Sequence, residues 1–452
     1  MQEGGLKAPK RHPIPWEDPS FYDEGALDAE TRRVFDVCHG CRRCFNLCNS
    51  FPTLFDLIDE ATSGELDTVS SHSFDKVTDA CTLCDMCFMV ACPYVPPHPF
   101  DIDFPKLMLR HRAVQHQKGK VPWTHRQLTQ TDRNGKIGTM VPALSNWATK
   151  EDNRVTRPIM EKTLGVDRRA HLPAFANQPL IKQMAEHPAP PNPKAPAFGE
   201  KVALYATCYG SYQDVETALA ARAVMAHNGV EVEVVYPEYC GMPQLEQGDL
   251  SHVAQKAKSV TRVLVDWVQK GYTVVPVVPS CTLMIRHEWP LLLPQDETVA
   301  QVAQHTKDLS EYLVSLSKGK GLIQGMRPLD TSVTLHMACH ARAQNKGRQA
   351  EMLLNLIPGM TLNIVERCSG HGGSWGIFKE NFDTAVKVGK PATRQILKQD
   401  PQSIVVSECP LALSHLEQTS GFEAQAKEIP KPQHFTHPIH LIAQVYGLNF
   451  KD

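Results

Sequence analysis

Two clusters of cysteine open the question of chemistry. "CHGCRRCFNLCNSFP", residues 38 to 52, has the pattern C-x2-C-x2-C-x3-C (Cys38, Cys41, Cys44, Cys48), and "CTLCDMCFMVACP", residues 81 to 93, has C-x2-C-x2-C-x4-C-P (Cys81, Cys84, Cys87, Cys92). Disulfides, zinc and iron–sulfur clusters are the three chemistries open to eight thiols. Three cysteines at successive two-residue gaps can turn their sulfurs to one centre from a single loop, which leaves a cubane short of one ligand. Structural zinc sites generally join separate C-x2-C pairs. A triplet with a detached fourth cysteine favours [4Fe–4S], the fourth thiol usually serving the other cluster. The expected sets are therefore Cys38, Cys41, Cys44 with Cys92, and Cys81, Cys84, Cys87 with Cys48. Two such clusters make an electron wire.

The remaining six cysteines lie in the second half and repeat. After the proline-rich run "HPAPPNPKAPAFG" the pattern becomes strand, helix, strand, helix, strand. "KVALYATCYG" leads to Cys208, "VEVEVVYPEYCG" to Cys240 and "TVVPVVPSC" to Cys281. "SVTLHMACH" leads to Cys339, "LNIVERCSG" to Cys368 and "SIVVSECP" to Cys409. The spacing predicts an internal repeat of about 128 residues built as a parallel α/β sheet. Its cysteines stand where open sheets bind ligands, at the carboxyl ends of strands. His336, His340 and His371 lie within three residues of Cys339 or Cys368, and Glu238 and Tyr239 beside Cys240, as candidate non-cysteine ligands. The glycine cluster "SGHGGSWG" follows a strand but lacks G-x-G-x-x-G spacing, so it is a poor nucleotide loop.

The 452 residues are 42% hydrophobic and 21% charged, with a formal charge of -2. That balance supplies no basic field for nucleic acid. No apolar run reaches membrane-spanning length, and the N-terminus has no secretory h-region. The expectation is a cytoplasmic chain, where thiols stay reduced and serve metal or redox chemistry. The basic stretch "KLMLRHRAVQHQKGK", residues 106 to 120, is a candidate docking face for a membrane or an acidic partner. The expected organisation is α+β and multidomain. An extended arm (1–30) precedes a helical ferredoxin-like two-cluster domain (31–120). A connecting segment with the proline-rich linker follows (121–199), then two α/β cysteine-rich units (200–325 and 326–452).

These motifs, with "YCGMPQLEQGD", "VVPSCTLMIRHEWP", "LHMACHARAQNKG", "RCSGHGGSWG" and "SECPLALSHLEQ", resemble the iron–sulfur subunits related to heterodisulfide reductase, the CCG-domain proteins. Among them are the C subunit of anaerobic glycerol-3-phosphate dehydrogenase and the iron–sulfur subunits of glycolate and lactate oxidases. The resemblance implies a two-cluster electron carrier between a flavin-dependent dehydrogenase on another chain and an acceptor such as a quinone, with the flavin absent from this chain. It also implies peripheral contact with the inner face of a membrane. One departure stands out. The family's full unit has a Cys-Cys-Gly triplet and a final C-x2-C, whereas here Tyr239, Arg367, Val278 and Val406 occupy the extra cysteine positions. Each unit keeps three thiols, enough for a metal or cluster with a fourth ligand of another kind, or for inert packing. The alternative function is a catalytic component acting on a disulfide or on a rubrerythrin-like peroxide-reducing partner; a third is an iron or redox sensor.

Overall fold

The computed structural model describes residues 9–450. Its N-terminal part is helical. Asp23 caps the helix Glu24–Cys41 by accepting from Ala26 N–H, and the helix ends at the left-handed Arg42, so that Cys38 and Cys41 occupy its last turn. The expected arm to residue 30 is thus a helix from Glu24 onward, while residues 1–8 lie outside the described residues. Helices Ser50–Asp59, Phe74–Ala80 and Phe104–Gln117 complete this part around Phe35, Phe51, Phe55, Phe74, Phe104 and Met108. The ring centroids of Phe51 and Phe104 are 4.6 Å apart, within the range of favourable aromatic pairing. Both cysteine loops border this core. The second is bent by left-handed Leu83 and Asp85 before a π-helical turn, Cys87–Ala91.

The chain then makes five short helices between Trp123 and Glu186. The proline-rich run does not stand off as a spacer. Asn192 N–H donates to Ala226 C=O at 2.9 Å, and Ala195 and Ala197 are buried.

The second half holds two parallel sheets. Strands β1 (Lys201–Tyr205), β2 (Glu231–Val235) and β3 (Thr273–Pro276) are ordered β2-β1-β3. Strands β4 (Ser332–His336), β5 (Thr361–Val365), β6 (Ile404–Ser407) and β7 (Phe435–Thr436) are ordered β5-β4-β6-β7. The hydrophobic runs of β1 and β4 suit strands covered on both faces. Crossover helices supply the cover. Leu250–Gln269 buries Leu250, Val253, Ala257, Val260, Leu264 and Val268, the three-and-four spacing of one helical face. Repeat symmetry extends to the edge: Thr306 bridges Val274 in parallel as Phe435 pairs with Val405. One hydrophobic core joins the sheets, with Val202, Leu204 and Val275 in the same cluster as Val333, Leu335 and Val406. In each sheet the unit's first strand lies between its second and third, so the connections diverge to either side and open a crevice beyond the strand ends. All six later cysteines follow those ends.

Candidate metal centres

Cys38, Cys41 and Cys44 line a hollow with Cys92, which the chain returns to them 48 residues after Cys44. Phe51, Phe55 and Ile102 form its apolar wall. The hollow is open to solvent at its mouth. Burial and the neighbouring thiols push the Cys38 thiol well up and that of Cys44 to about 12. Cys48 lies within electrostatic reach of Cys81 and Cys84, and Cys87 within reach of Cys84, Cys81 and Cys48. Each fourth cysteine therefore stands with the other loop's triplet. Among the described residues no three His, Cys, Asp or Glu side chains close on one metal-ion position; around the first triplet the thiols surround a hollow instead. Four soft sulfur donors around an apolar-walled space fit an iron–sulfur core.

The first later triad is compact. Cys281 Sγ–H donates to Cys240 Sγ at 3.1 Å, Trp289 Nε1–H donates to Cys240 C=O at 3.1 Å, and Cys208 lies close to both thiols. Burial, then the charge of Cys240, raises Cys208 to about 12. The expected polar neighbours face elsewhere: Glu238 binds Lys256 and Ser259, and the Tyr239 hydroxyl pairs with His252 Nε2 at 2.8 Å. Asp132 takes their place. It comes from helix Thr131–Met140, accepts from the Tyr236 hydroxyl and from Tyr239 N–H, and lies near Cys208. Sequence reading missed it because residues 120–187 carry no periodic or motif signal.

Cys339, Cys368 and Cys409 form the second triad. Gly370 N–H donates to Cys368 Sγ at 3.4 Å, and burial lifts Cys368 to about 12 and Cys409 to about 11. Of the three candidate histidines, two are turned away. His336 Nε2–H donates to Arg367 C=O at 3.0 Å, leaving Nδ1 to accept from the Ser407 hydroxyl at 3.1 Å, so both ring nitrogens are engaged. His340 bonds the Leu83 backbone in the second cysteine loop. His371 alone faces the triad, with Nε2 3.7 Å from Cys409 Sγ.

That loop is fastened onto the second triad. Trp375 Nε1–H donates to Asp79 C=O at 2.7 Å, and Cys84 lies within electrostatic reach of both Cys339 and Cys368. Arg112 ties Thr78 C=O to Glu246 C=O at 3.0 and 2.6 Å. Arg112, Lys106 paired with Glu288, and Arg110 bonded to Phe21 C=O at 2.7 Å belong to the basic stretch. These three cations are engaged inside the molecule, whereas Lys118 and Lys120 at the end of the stretch are exposed.

Residues 202–286 and 333–417 each match the cysteine-rich domain called CCG. The chain therefore carries two copies of the CCG domain. The C subunit of anaerobic glycerol-3-phosphate dehydrogenase from Escherichia coli K12 is 24% identical over 350 residues, covering 76% of this chain and 83% of the relative. An uncharacterized iron–sulfur protein of Methanococcus maripaludis is 24% identical over 225 residues, 48% of this chain and 41% of that one. Citrate utilization protein B of E. coli is 33% identical over 90 residues, 20% of this chain and 21% of the relative. This CCG protein is an iron–sulfur subunit with a role in electron transfer.

Proposed function

We propose that the chain is the relay of an oxidoreductase complex, with two [4Fe–4S] clusters in a helical ferredoxin-like domain passing electrons from a flavin-dependent dehydrogenase to a quinone. The observation that carries this reading is the crossing of Cys48 and Cys92 into each other's loops, an arrangement with no use in two independent zinc knuckles. Cluster one takes Cys38, Cys41, Cys44 and Cys92; cluster two takes Cys81, Cys84, Cys87 and Cys48. The electrostatic proximity of Cys84 to Cys339 and Cys368 gives the wire a continuation into the CCG units. The disulfide-reducing alternative gains nothing from the first triad, where Cys240 and Cys281 are only 3% and 4% exposed. In these residues the protein's contribution is thiolate ligation, exclusion of water by Phe51, Phe55 and Ile102, and fixed distances between sulfur sets. The clusters supply one-electron redox chemistry.

The peripheral membrane contact falls on helices Thr131–Met140 and Pro142–Thr149. Their outer face exposes Ile137, Met140, Leu144 and Trp147 beside the exposed cations Arg133, Lys136 and Lys150. Apolar residues with a basic rim suit an anionic bilayer surface. No helix among the described residues is long and apolar enough to cross a membrane. Met140→Ser with Trp147→Ser should release the chain from vesicles containing anionic phospholipid in a sedimentation assay; unchanged binding would rule this face out as the contact.

The relay itself is tested with the anaerobically purified chain. Alone, it should fail to oxidise glycerol 3-phosphate, lactate or glycolate with a dye acceptor, although dithionite bleaches its clusters. Bleaching by substrate should begin when the partner flavoprotein is added. Substrate-driven reduction by this chain, free of any flavin, would move catalysis into the CCG units.

A further inference from the structure

The glycine-rich loop after Cys368 is a mount, and its crowding shows what it mounts. A Cβ on Gly372 (φ +54°) would lie 2.7 Å from Thr82 Cγ2 of the second cysteine loop, and one on Gly373 (φ +62°) would lie 2.6 Å from both carboxylate oxygens of Glu246 in the first CCG unit. Left-handed backbone and close approach both demand glycine there. Nucleotide binding is not needed to explain the cluster. Between these two walls the loop fixes His371 from two directions: Gly376 N–H donates to its carbonyl and Gly373 N–H to its ring Nδ1, each at 2.9 Å.

The second of these bonds decides the tautomer. A backbone N–H can only donate, so Nδ1 must offer its lone pair and the ring proton sits on Nε2. An imidazole that ligates a metal through Nε2 carries its proton on Nδ1 instead, where it would point at the Gly373 N–H. Nε2, 3.7 Å from Cys409 Sγ, is therefore arranged as a donor toward sulfur. We infer that His371 serves the second triad as a fixed N–H donor to the Cys409 sulfur, and not as a ligand, and thereby raises the reduction potential of an iron–sulfur group held there. The inference rests on the iron–sulfur reading of the chain and extends it to this triad. Hydrogen bonds to ligand sulfur are an established lever on cluster potential. Such a bond draws negative charge from the thiolate and favours the reduced state.

The test uses the full chain, purified anaerobically, with iron content and EPR-monitored redox titration as readouts. Cys409→Ser first identifies the signal of the second triad. His371→Phe keeps a ring but lacks the N–H; it should retain that iron and shift the signal to lower potential. His371→Gln can accept from Gly373 through its amide oxygen and donate to Cys409 through its nitrogen, so it should restore the wild-type potential with an unaltered spectrum. Iron loss in the Phe variant comparable to that of Cys409→Ser would make His371 a ligand and overturn the inference. So would an unmoved potential. If the Phe variant does not fold, the Gln variant decides: a changed spectrum overturns the donor assignment, an unchanged one supports it. A Cys409→Ser protein that loses no signal would also overturn it, while the signals of the two N-terminal clusters would leave the relay reading standing.

Discussion

Replacing Cys92 by serine should remove about four of the roughly eight irons assigned to the N-terminal clusters, and the signal lost should be that of the Cys38, Cys41, Cys44 set. Cys92 is eleven residues from Cys81 in sequence, yet it lines the hollow of the first loop. A hydroxyl is a harder, weaker ligand than a thiolate for iron in a sulfur shell, so the first cluster should go while the second stays. Cys48→Ser should produce the reverse, because Cys48 neighbours Cys81 and Cys84. EPR of the dithionite-reduced variants resolves the two outcomes. Loss of the second-loop signal in the Cys92 variant would refute the crossing.

Arg11→Met should destabilise the protein by about 3–5 kcal/mol, the usual cost of stripping the partner from a buried charge. Arg11 is 10% exposed and pairs with Asp85 at 2.6 Å, Asp103 at 3.0 Å and Glu288 at 3.5 Å; its guanidinium also lies 4.3 Å from the centre of the Phe88 ring. Burial pushes the Asp85 carboxyl up, but the Arg11 guanidinium outweighs it and holds the group below its ordinary range. Without Arg11, three enclosed carboxylates are left to Lys106 alone. Because Asp85 sits inside the second cysteine loop and Glu288 in the first CCG unit, the segment that carries Arg11 bolts those parts together. Arg11→Lys should lose part of the same stability, since a point charge cannot reproduce the guanidinium fork. Urea unfolding followed by circular dichroism measures both, as a lower midpoint at unchanged slope. A loss below about 1 kcal/mol, the range of exposed ion pairs, would contradict the bolting role of Arg11.

The two cysteine loops were legible because ligand spacing is a local property: three thiols two residues apart announce a shared centre before any fold is known. The CCG units were legible through strands that end near cysteine at a constant offset. Roles that depend on non-local partners were not. His336 and His371 look alike in sequence, each within three residues of a triad cysteine, yet Ser407 and Arg367 claim one ring and Gly373 aims the other at sulfur. Arg110 and Arg112 look solvated in a basic run because their acceptors, the carbonyls of Phe21, Thr78 and Glu246, carry no sequence signature. Asp132 was hidden for the same reason. The early helix was a missed cue: "DEGALDAE", residues 23 to 30, opens with an Asp cap and an acidic first turn, a recognisable start signal.

The central claim is an iron–sulfur wire, and iron with acid-labile sulfide in the anaerobically purified chain measures it directly. Two crossed [4Fe–4S] clusters require about eight of each per chain, with any group in the CCG triads adding to that number, and Cys48→Ser plus Cys92→Ser together should remove those eight. A chain that carries zinc in place of iron, with no labile sulfide, would contradict it.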